Sequence, residues 1–280
     1  MLNEINTWSD YRTTVREFDA ILEHGKAVLA ALAGVQAPSP QASYGVMIYA
    51  KLLAHCVALR KLAADPQEPM PEDAWDLPSM SALARCVIES HDTYQYIAGH
   101  LMPDEERGFR IRLWELHDAT KRLRLLGETD SDDPLVKELQ ADAARLQAAL
   151  ESHSVMTALP SVLRDELRRR FERSDPPPFH LGLRQRCTQS GVNPEWHNAI
   201  TQRLSQQAHT LPFSVHQLPQ FRAGTPEALR LMSLPLAFAL PFLARTLHAV
   251  VQLIPASTPE PPSRTARTMA AWRALAEQSI

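Results

Sequence analysis

The fold class that the sequence predicts is all-α, and three observations support it. Only nine of the 280 residues are glycine, so the chain has few of the turns that join short strands. Residues that favour helices, such as alanine, leucine, arginine and glutamine, are abundant. Apolar residues recur at helical intervals in each long segment, and we find no convincing run with the two-residue period of a strand. We therefore predict a single large helical bundle of eight or nine helices.

Nine segments carry the helical spacing, and their ends have residues that begin helices. Thr225-Pro226-Glu227 and Asn193-Pro194-Glu195 each place a capping side chain before a proline at the first helical position. The predicted helices are residues 4–33, 42–64, 79–101, 103–126, 134–152, 160–173, 194–209, 225–254 and 263–278.

Proline-rich connections define the expected domain organisation. We predict one helical bundle domain over residues 1–254. If this bundle consists of two sub-bundles, the boundary lies at 174–193, which begins with the proline-rich stretch SDPPPFHLG. Residues 255–280 are predicted to form a proline-rich linker and a short C-terminal helix, which either docks on the bundle or meets a partner.

Composition and charge favour a globular protein of the cytoplasm. Hydrophobic residues make up 45% of the chain and charged residues 22%, which is enough for a sizeable core. The net charge of −3 provides no overall basic field for nucleic acid or acidic membranes. The three cysteines are widely spaced and odd in number, which indicates reduced thiols rather than a disulfide framework.

Neither the N-terminus nor the most apolar segment predicts membrane association. The first residues, MLNEINTWSDYR, include acids and lack the apolar core of a signal peptide. The most apolar run covers 229–254, where Pro235 and Pro241 interrupt the helix and Arg245 and His248 lie inside it. We therefore predict a kinked core helix there and no membrane span.

Several common enzyme classes are not supported, because their motifs do not occur. The sequence contains no GxGxxG, GxxxxGK or GxSxG, so dinucleotide-binding, P-loop and serine-elbow enzymes are not indicated. No glutamate has a histidine three residues later, which is the spacing that binds two metals in helical bundles. Glu-x-His does recur, but two helical positions diverge by roughly 200°. We expect no cofactor and no metal.

Two polar stripes are the candidates for a functional site. Arg85, Glu89, Asp92 and Tyr96 follow one face of a predicted helix. That face is either solvated or a helix–helix seam, and Ala84 and Ile88 beside the arginine keep the second interpretation open. Ser205 and His209 share an edge of a later helix, where His209 either contacts Ser205 or caps the helix end.

The arrangement of these stripes resembles a broad family of bacterial all-helical proteins that share a domain of unknown function. The resemblance covers roughly residues 42–254 and lies in LARCVIES and RLSQQAH, which carry an Arg-x3-Glu helix and a Leu-Ser-x3-His helix end. It implies that Arg85, Glu89, Ser205 and His209 converge in the fold as the candidate catalytic cluster. A buried cluster predicts that Arg85→Ala costs about 3 kcal/mol, and an exposed one well under about 1 kcal/mol.

A second resemblance is to helical ribonucleases of the HEPN type, which carry an arginine and a histidine four to six residues apart. Arg85 with His91, and Arg203 with His209, have this spacing, which chance alone also gives several times in an arginine-rich chain. A helical wheel places His91 inside the apolar arc, so we predict a core histidine there.

The function that the sequence favours is a regulatory or interaction role without a standard enzymatic motif. The alternative is a HEPN-like ribonuclease used in bacterial stress or phage defence. We expect a protein partner or self-association, with RNA as the ligand under the alternative.

Overall fold

Every regular element that the structure assigns is helical, so the predicted all-α class is confirmed. The computed structural model describes residues 5–63, 75–99, 101–126, 133–217 and 225–277. These ranges contain twelve α-helices and no strand. The helices are α1 (Trp8–Leu32), α2 (Pro40–Leu62), α3 (Leu77–Tyr94), α4 (Asp104–Leu125), α5 (Pro134–Glu151), α6 (Ser154–Ala158), α7 (Ser161–Glu172), α8 (Leu183–Ser190), α9 (Pro194–Ala208), α10 (Pro212–Gln217), α11 (Pro226–Leu253) and α12 (Ser263–Leu275).

The predicted count of eight or nine helices is wrong, because three short helices were missed. Each of the nine predicted segments corresponds to an observed helix, and α6, α8 and α10 are additional. These three have five, eight and six residues. Two helical turns or fewer give too few apolar positions for a periodic pattern to be recognised.

The predicted helix starts are confirmed at the two Pro-containing caps. The Asn193 side chain accepts a hydrogen bond from the Trp196 amide at 2.9 Å. The Thr225 hydroxyl oxygen accepts one from the Ala228 amide at 3.3 Å. In both helices the following proline occupies the first turn, where its missing N–H costs nothing.

The chain forms two compact units. Unit 1 comprises residues 1–99 and 186–280, and unit 2 comprises residues 100–185. The return to unit 1 falls after Gln185, inside the 174–193 stretch that proline content singles out. The departure near residue 100 falls at the predicted break between the helices 79–101 and 103–126, which has no proline-rich stretch to distinguish it from an ordinary connection between helices.

The core of unit 1 is built around α11, which packs against α1, α2, α3 and α12. This helix continues through Pro235 and Pro241, and both prolines are buried. Among the described residues, α2 and α11 are long and apolar enough to cross a membrane by length and composition alone. In α11, 72% of the most apolar window is buried inside the protein, as in a core helix.

The C-terminal helix α12 docks on unit 1 through polar contacts of its last turn. Arg245 of α11 donates to the Arg273 carbonyl at 3.1 Å and to the Glu277 carboxylate at 2.7 Å. The Trp272 indole N–H donates to Glu17 of α1 at 3.0 Å. Because lysine and arginine groups suit helix C-termini, Arg245 stabilises this end of α12.

Unit 2 has its own hydrophobic core, formed by α4 to α7. The buried residues at its centre are Phe109, Leu113, Leu116, Leu150, Met156, Leu167 and Phe171. A separate core of this kind is what allows a segment of this size to fold as a compact unit.

Candidate functional site

The candidate site lies along the seam between α3 and α9, two packed helices of unit 1. Arg85 of α3 donates a hydrogen bond to the Ser205 hydroxyl of α9. Two turns further along, Asp92 accepts one from His197 at 2.9 Å. On α3, seven positions separate Arg85 from Asp92, and on α9, eight positions separate His197 from Ser205. The pairs Arg85–Ser205 and Asp92–His197 therefore form successive rungs between antiparallel helices. Arg85 and Asp92 of the predicted stripe therefore lie at the seam between α3 and α9.

The rung formed by Arg85, Glu89 and Ser205, which we call the outer rung, is only partly buried. The Arg85 side chain is 32% exposed and the Glu89 side chain 60% exposed, and their guanidinium and carboxylate groups lie 2.5 Å apart. The Ser205 hydroxyl donates to the Thr201 carbonyl at 2.6 Å while it accepts from Arg85. Three of the four predicted cluster residues, Arg85, Glu89 and Ser205, are therefore brought together.

The fourth predicted residue, His209, does not join this cluster. Its side chain is exposed, and among the described contacts no hydrogen bond or ion pair joins it to Glu89. His209 is the C-cap residue of α9, with an extended backbone, and its amide donates to the Ser205 carbonyl at 3.1 Å. Because the helix ends at Ala208, a side chain at position 209 does not continue the stripe that Ser205 occupies. The predicted four-residue convergence is therefore wrong at His209.

The exposure of the outer rung predicts a small effect for Arg85→Ala. We expect the free energy of unfolding to fall by less than about 1 kcal/mol, because solvent screens this ion pair and hydrates Glu89 when the arginine is removed. Chemical denaturation followed by circular dichroism measures this difference, with Ser205→Ala as the matched variant. A loss above about 2 kcal/mol would mean that the seam is sealed in solution.

The inner rung is buried. The His197 side chain is 3% exposed and the Asp92 side chain 11% exposed. Next to His197, the Trp196 ring stacks on Phe242 of α11, with centroids 5.5 Å apart and an interplanar angle of 16°. Asp92 lies on the polar stripe that was predicted from the sequence, whereas His197 was not identified as its partner. The sequence signal that could have identified His197 was spacing. About two helical turns separate His197 from Ser205, and about two turns also separate Arg85 from Asp92.

His91 is a core histidine, as predicted, and this excludes it as an exposed catalytic group in the observed state. It is fully buried, and its Nδ1 lies 2.9 Å from the Thr246 hydroxyl oxygen. Thr246 donates its own proton to the Phe242 carbonyl at 2.8 Å, so His91 Nδ1 must be the donor to Thr246. Burial lowers the pKa of His91 to about 3. The imidazole is therefore neutral at physiological pH.

The buried, neutral His91 predicts a loss of stability in acid. In the unfolded chain this histidine takes up a proton near pH 6.5, whereas the folded protein resists protonation down to about pH 3. The contribution of the neutral His91 to the free energy of unfolding is therefore fully present above pH 6.5. It is lost as the pH falls from 6.5 towards 3, and the loss is about 2 kcal/mol between pH 7 and 5.

Urea denaturation at both pH values, compared with His91→Asn, measures this contribution. The asparagine keeps a donor for Thr246 but does not titrate. We expect the decrease in stability from pH 7 to 5 to be smaller in the variant, and equal decreases would show that His91 is not responsible.

Two residues of α2, Lys51 and His55, interact electrostatically with groups of α3 and were not identified from the sequence. Burial lowers the pKa of His55, Lys51 lowers it further, and the Glu89 carboxylate acts in the opposite direction. The same Glu89 and Lys51 act on Cys86, whose thiol pKa is raised by burial. Lys51 and His55 are four residues apart, so they share one face of α2. That pairing in KLLAHC was the sequence signal.

Unit 2 contains a separate buried polar cluster. Glu106 accepts a hydrogen bond from Arg110 at 2.8 Å, and its carboxylate lies 3.3 Å from His180. The hydrogen bond from His180 has the largest effect in lowering the pKa of Glu106 to about 2. Arg110 and His180 are buried, and the His180 ring packs edge-on against Phe109 at 5.2 Å. This cluster connects α4 to the proline-rich segment before α8.

The fold and the seam define an all-α protein with two polar rungs between α3 and α9. In the described ranges, no three His, Cys, Asp or Glu residues are placed to hold a metal ion. Comparison with family models, with curated proteins and with solved structures finds no match to this chain. The two family resemblances therefore stay predictions, and the function is argued from the geometry alone.

Proposed function

We propose that this protein is a regulatory protein that acts by binding a protein partner through α10. The observation that carries the proposal is the exposure of three large apolar side chains within five residues. Leu211 is 39% exposed, Phe213 47% and Val215 43%. The three residues are close in the chain, and Phe213 is an exposed aromatic side chain, the type of anchor that contributes most to binding at protein interfaces.

Local structure explains why these side chains are presented to solvent. Ser214 is buried, and its hydroxyl is within 2.9 Å of the His209 and Leu211 carbonyls. Because Ser214 faces inward, Phe213 and Val215 lie on either side of it, each about 100° away around the helix. A six-residue helix held in this way can be an anchor for a partner without reorganising the core.

The seam supports a non-catalytic role. The Ser205 hydroxyl donates to a backbone carbonyl, and Arg85 forms an ion pair with Glu89. The fourth candidate residue, His209, lies outside the cluster. An acid–base relay needs a histidine within hydrogen-bond reach of the group that it activates. The proposal places the protein in the bacterial cytoplasm, in line with the free thiols of Cys56, Cys86 and Cys187.

Quantitative co-purification from the native host tests this function. The full chain is compared with a variant carrying Leu211→Ser, Phe213→Ser and Val215→Ser. Met47→Ser is the control, because Met47 is an exposed apolar residue on α2. We expect the triple variant, and not the control, to lose at least one partner by about tenfold or more. Equal recoveries contradict the proposal, and light scattering of the purified proteins shows whether the partner is a second copy.

The HEPN-like ribonuclease stays the alternative proposal, with Arg203 and His209 as its candidate pair. Both side chains are exposed near the end of α9, whereas Arg85 would have to act with the buried His91. Incubation of the purified protein with total RNA, in parallel with His209→Ala, tests it. Cleavage that the variant loses would favour this alternative, and intact RNA with both proteins would reject it.

A further inference from the structure

One exposed cation near α10 is not used by the proposed function. Arg203 lies on α9, and its side chain is exposed. No hydrogen bond or ion pair joins that side chain to another residue in the ranges that the structure describes. An unpaired guanidinium keeps all of its N–H donors available for an anionic group.

Helical spacing and one hydrogen bond connect Arg203 to α10. Arg203 and Gln207 are four positions apart, so they lie one turn apart on the same face of α9. The Gln207 side chain donates a hydrogen bond at 2.6 Å to the side chain of Gln217, the last residue of α10. Arg203 therefore lies one helical turn from a residue that contacts α10.

The same face of α9 borders a small cavity whose walls are mainly apolar. Arg203 and Gln207 line this cavity together with Leu204 of α9 and with Leu231 and Leu234 of α11. Leu231 and Leu234 are partly exposed, so a partner can reach them. The exposed guanidinium is therefore bordered by apolar side chains.

The charge of this part of the chain has one sign. Arg203 is the only lysine, arginine, aspartate or glutamate between residues 196 and 217, a range that includes all of α10. The exposed polar residues on either side of the apolar ones are His209, Thr210 and His216, and none of these carries a negative charge. A segment with a carboxylate is therefore complementary to this surface, whereas a basic segment would place a like charge against Arg203.

We propose that the partner binds α10 through an acidic amphipathic segment. Apolar side chains of the segment cover Leu211, Phe213 and Val215, and a carboxylate of the same segment forms an ion pair with Arg203. The apolar contacts provide most of the affinity, and the ion pair at the rim contributes specificity and faster association. This inference rests on the proposed function, because α10 provides the apolar anchor.

Selection from a random peptide library displayed on phage, with the full chain as the target, tests the inference without a known partner. We expect enrichment of peptides that combine Asp or Glu with Leu, Ile, Phe or Trp. Calorimetry on an enriched peptide should show about fivefold weaker binding to Arg203→Gln and at least about tenfold weaker binding to Phe213→Ser. Arg267→Gln is the control, because Arg267 is an exposed arginine on α12, and it should change binding by less than about twofold.

Charge reversal separates the ion pair from a structural effect of Arg203. Arg203→Glu should bind the acidic peptide more weakly than Arg203→Gln does. A peptide in which lysine replaces the acid should bind Arg203→Glu more tightly than it binds the wild-type chain. Raising the NaCl concentration from about 50 to 300 mM should weaken binding to the wild-type chain more than binding to Arg203→Gln.

Several results would overturn the inference, and they differ in what they imply for the proposed function. Enriched peptides that lack acids, or that bind Arg203→Gln as tightly as the wild-type chain, would overturn the inference and leave the role of α10 intact. Peptides that bind Phe213→Ser without loss would count against both. The absence of any enrichment would overturn the inference alone, since co-purification tests the proposed function independently. Binding of a short RNA that Arg203→Gln loses, with no acidic peptide enriched, would overturn it in favour of the ribonuclease alternative.

Discussion

Replacing Asp92 with alanine is expected to lower the free energy of unfolding by about 3 kcal/mol. The carboxylate is the hydrogen-bond acceptor for His197 at 2.9 Å, and both side chains are buried between α3 and α9. Removing it leaves the Nε2–H of His197 desolvated without an acceptor, in contact with the edge of Phe242. Urea denaturation followed by circular dichroism measures the loss.

Two variants separate the hydrogen bond from other effects at Asp92. Asp92→Asn keeps an oxygen that accepts from His197, so we expect it to recover more than half of the loss. Glu89→Ala, one turn away on the exposed rung of the same helix, should cost less than about 1 kcal/mol. The inner rung would not be a stabilising contact if Asp92→Ala and Glu89→Ala denatured at the same urea concentration.

The second large effect is expected for Arg110→Ala in unit 2. Arg110 is buried and donates to Glu106 at 2.8 Å. Without Arg110, the Glu106 carboxylate has no arginine partner among the described contacts. His180 is then its remaining partner among those contacts. The Arg110 side chain is 3% exposed and the Glu106 side chain 23% exposed, so we expect a loss of about 2 kcal/mol, between the values for an exposed and for a fully buried pair.

A matched control for Arg110 lies on the same helix. Arg122 forms an ion pair with Asp118 at 2.8 Å with the same four-residue spacing, and both of its members are exposed. Arg122→Ala should therefore cost about 0.5 kcal/mol or less. Thermal unfolding of the two variants at pH 7 makes the comparison, and similar melting temperatures would contradict the role assigned to Glu106, Arg110 and His180.

The long helices could be predicted because their signals are local. The caps at Asn193 and Thr225 and the periodic apolar residues of α11 depend on neighbours within one or two turns. The short helices α6, α8 and α10 could not, because they are too short to show a periodic apolar pattern. In α10, for example, Ser214 is buried and bonded to residues that precede the helix, which a search for apolar periodicity does not detect.

The candidate site could be predicted only as far as helical geometry extends. The spacing of Arg85, Glu89 and Asp92 identified one polar face, and the family resemblance pointed to Ser205. Neither could show that the seam is exposed at Arg85 and buried at Asp92, because burial depends on how α11 and α2 pack around α3. The spacing failed at His209 because it assumes a helix that in fact ends one residue earlier.

The central claim is that this protein acts by binding a partner through α10. The most direct measurement is the dissociation constant of a co-purified partner for the wild-type chain, for Phe213→Ser and for Met47→Ser, determined by calorimetry. We predict that Phe213→Ser weakens binding by at least about tenfold, because a half-exposed aromatic anchor is lost, and that Met47→Ser changes it by less than about twofold. An unchanged dissociation constant for Phe213→Ser would contradict the claim.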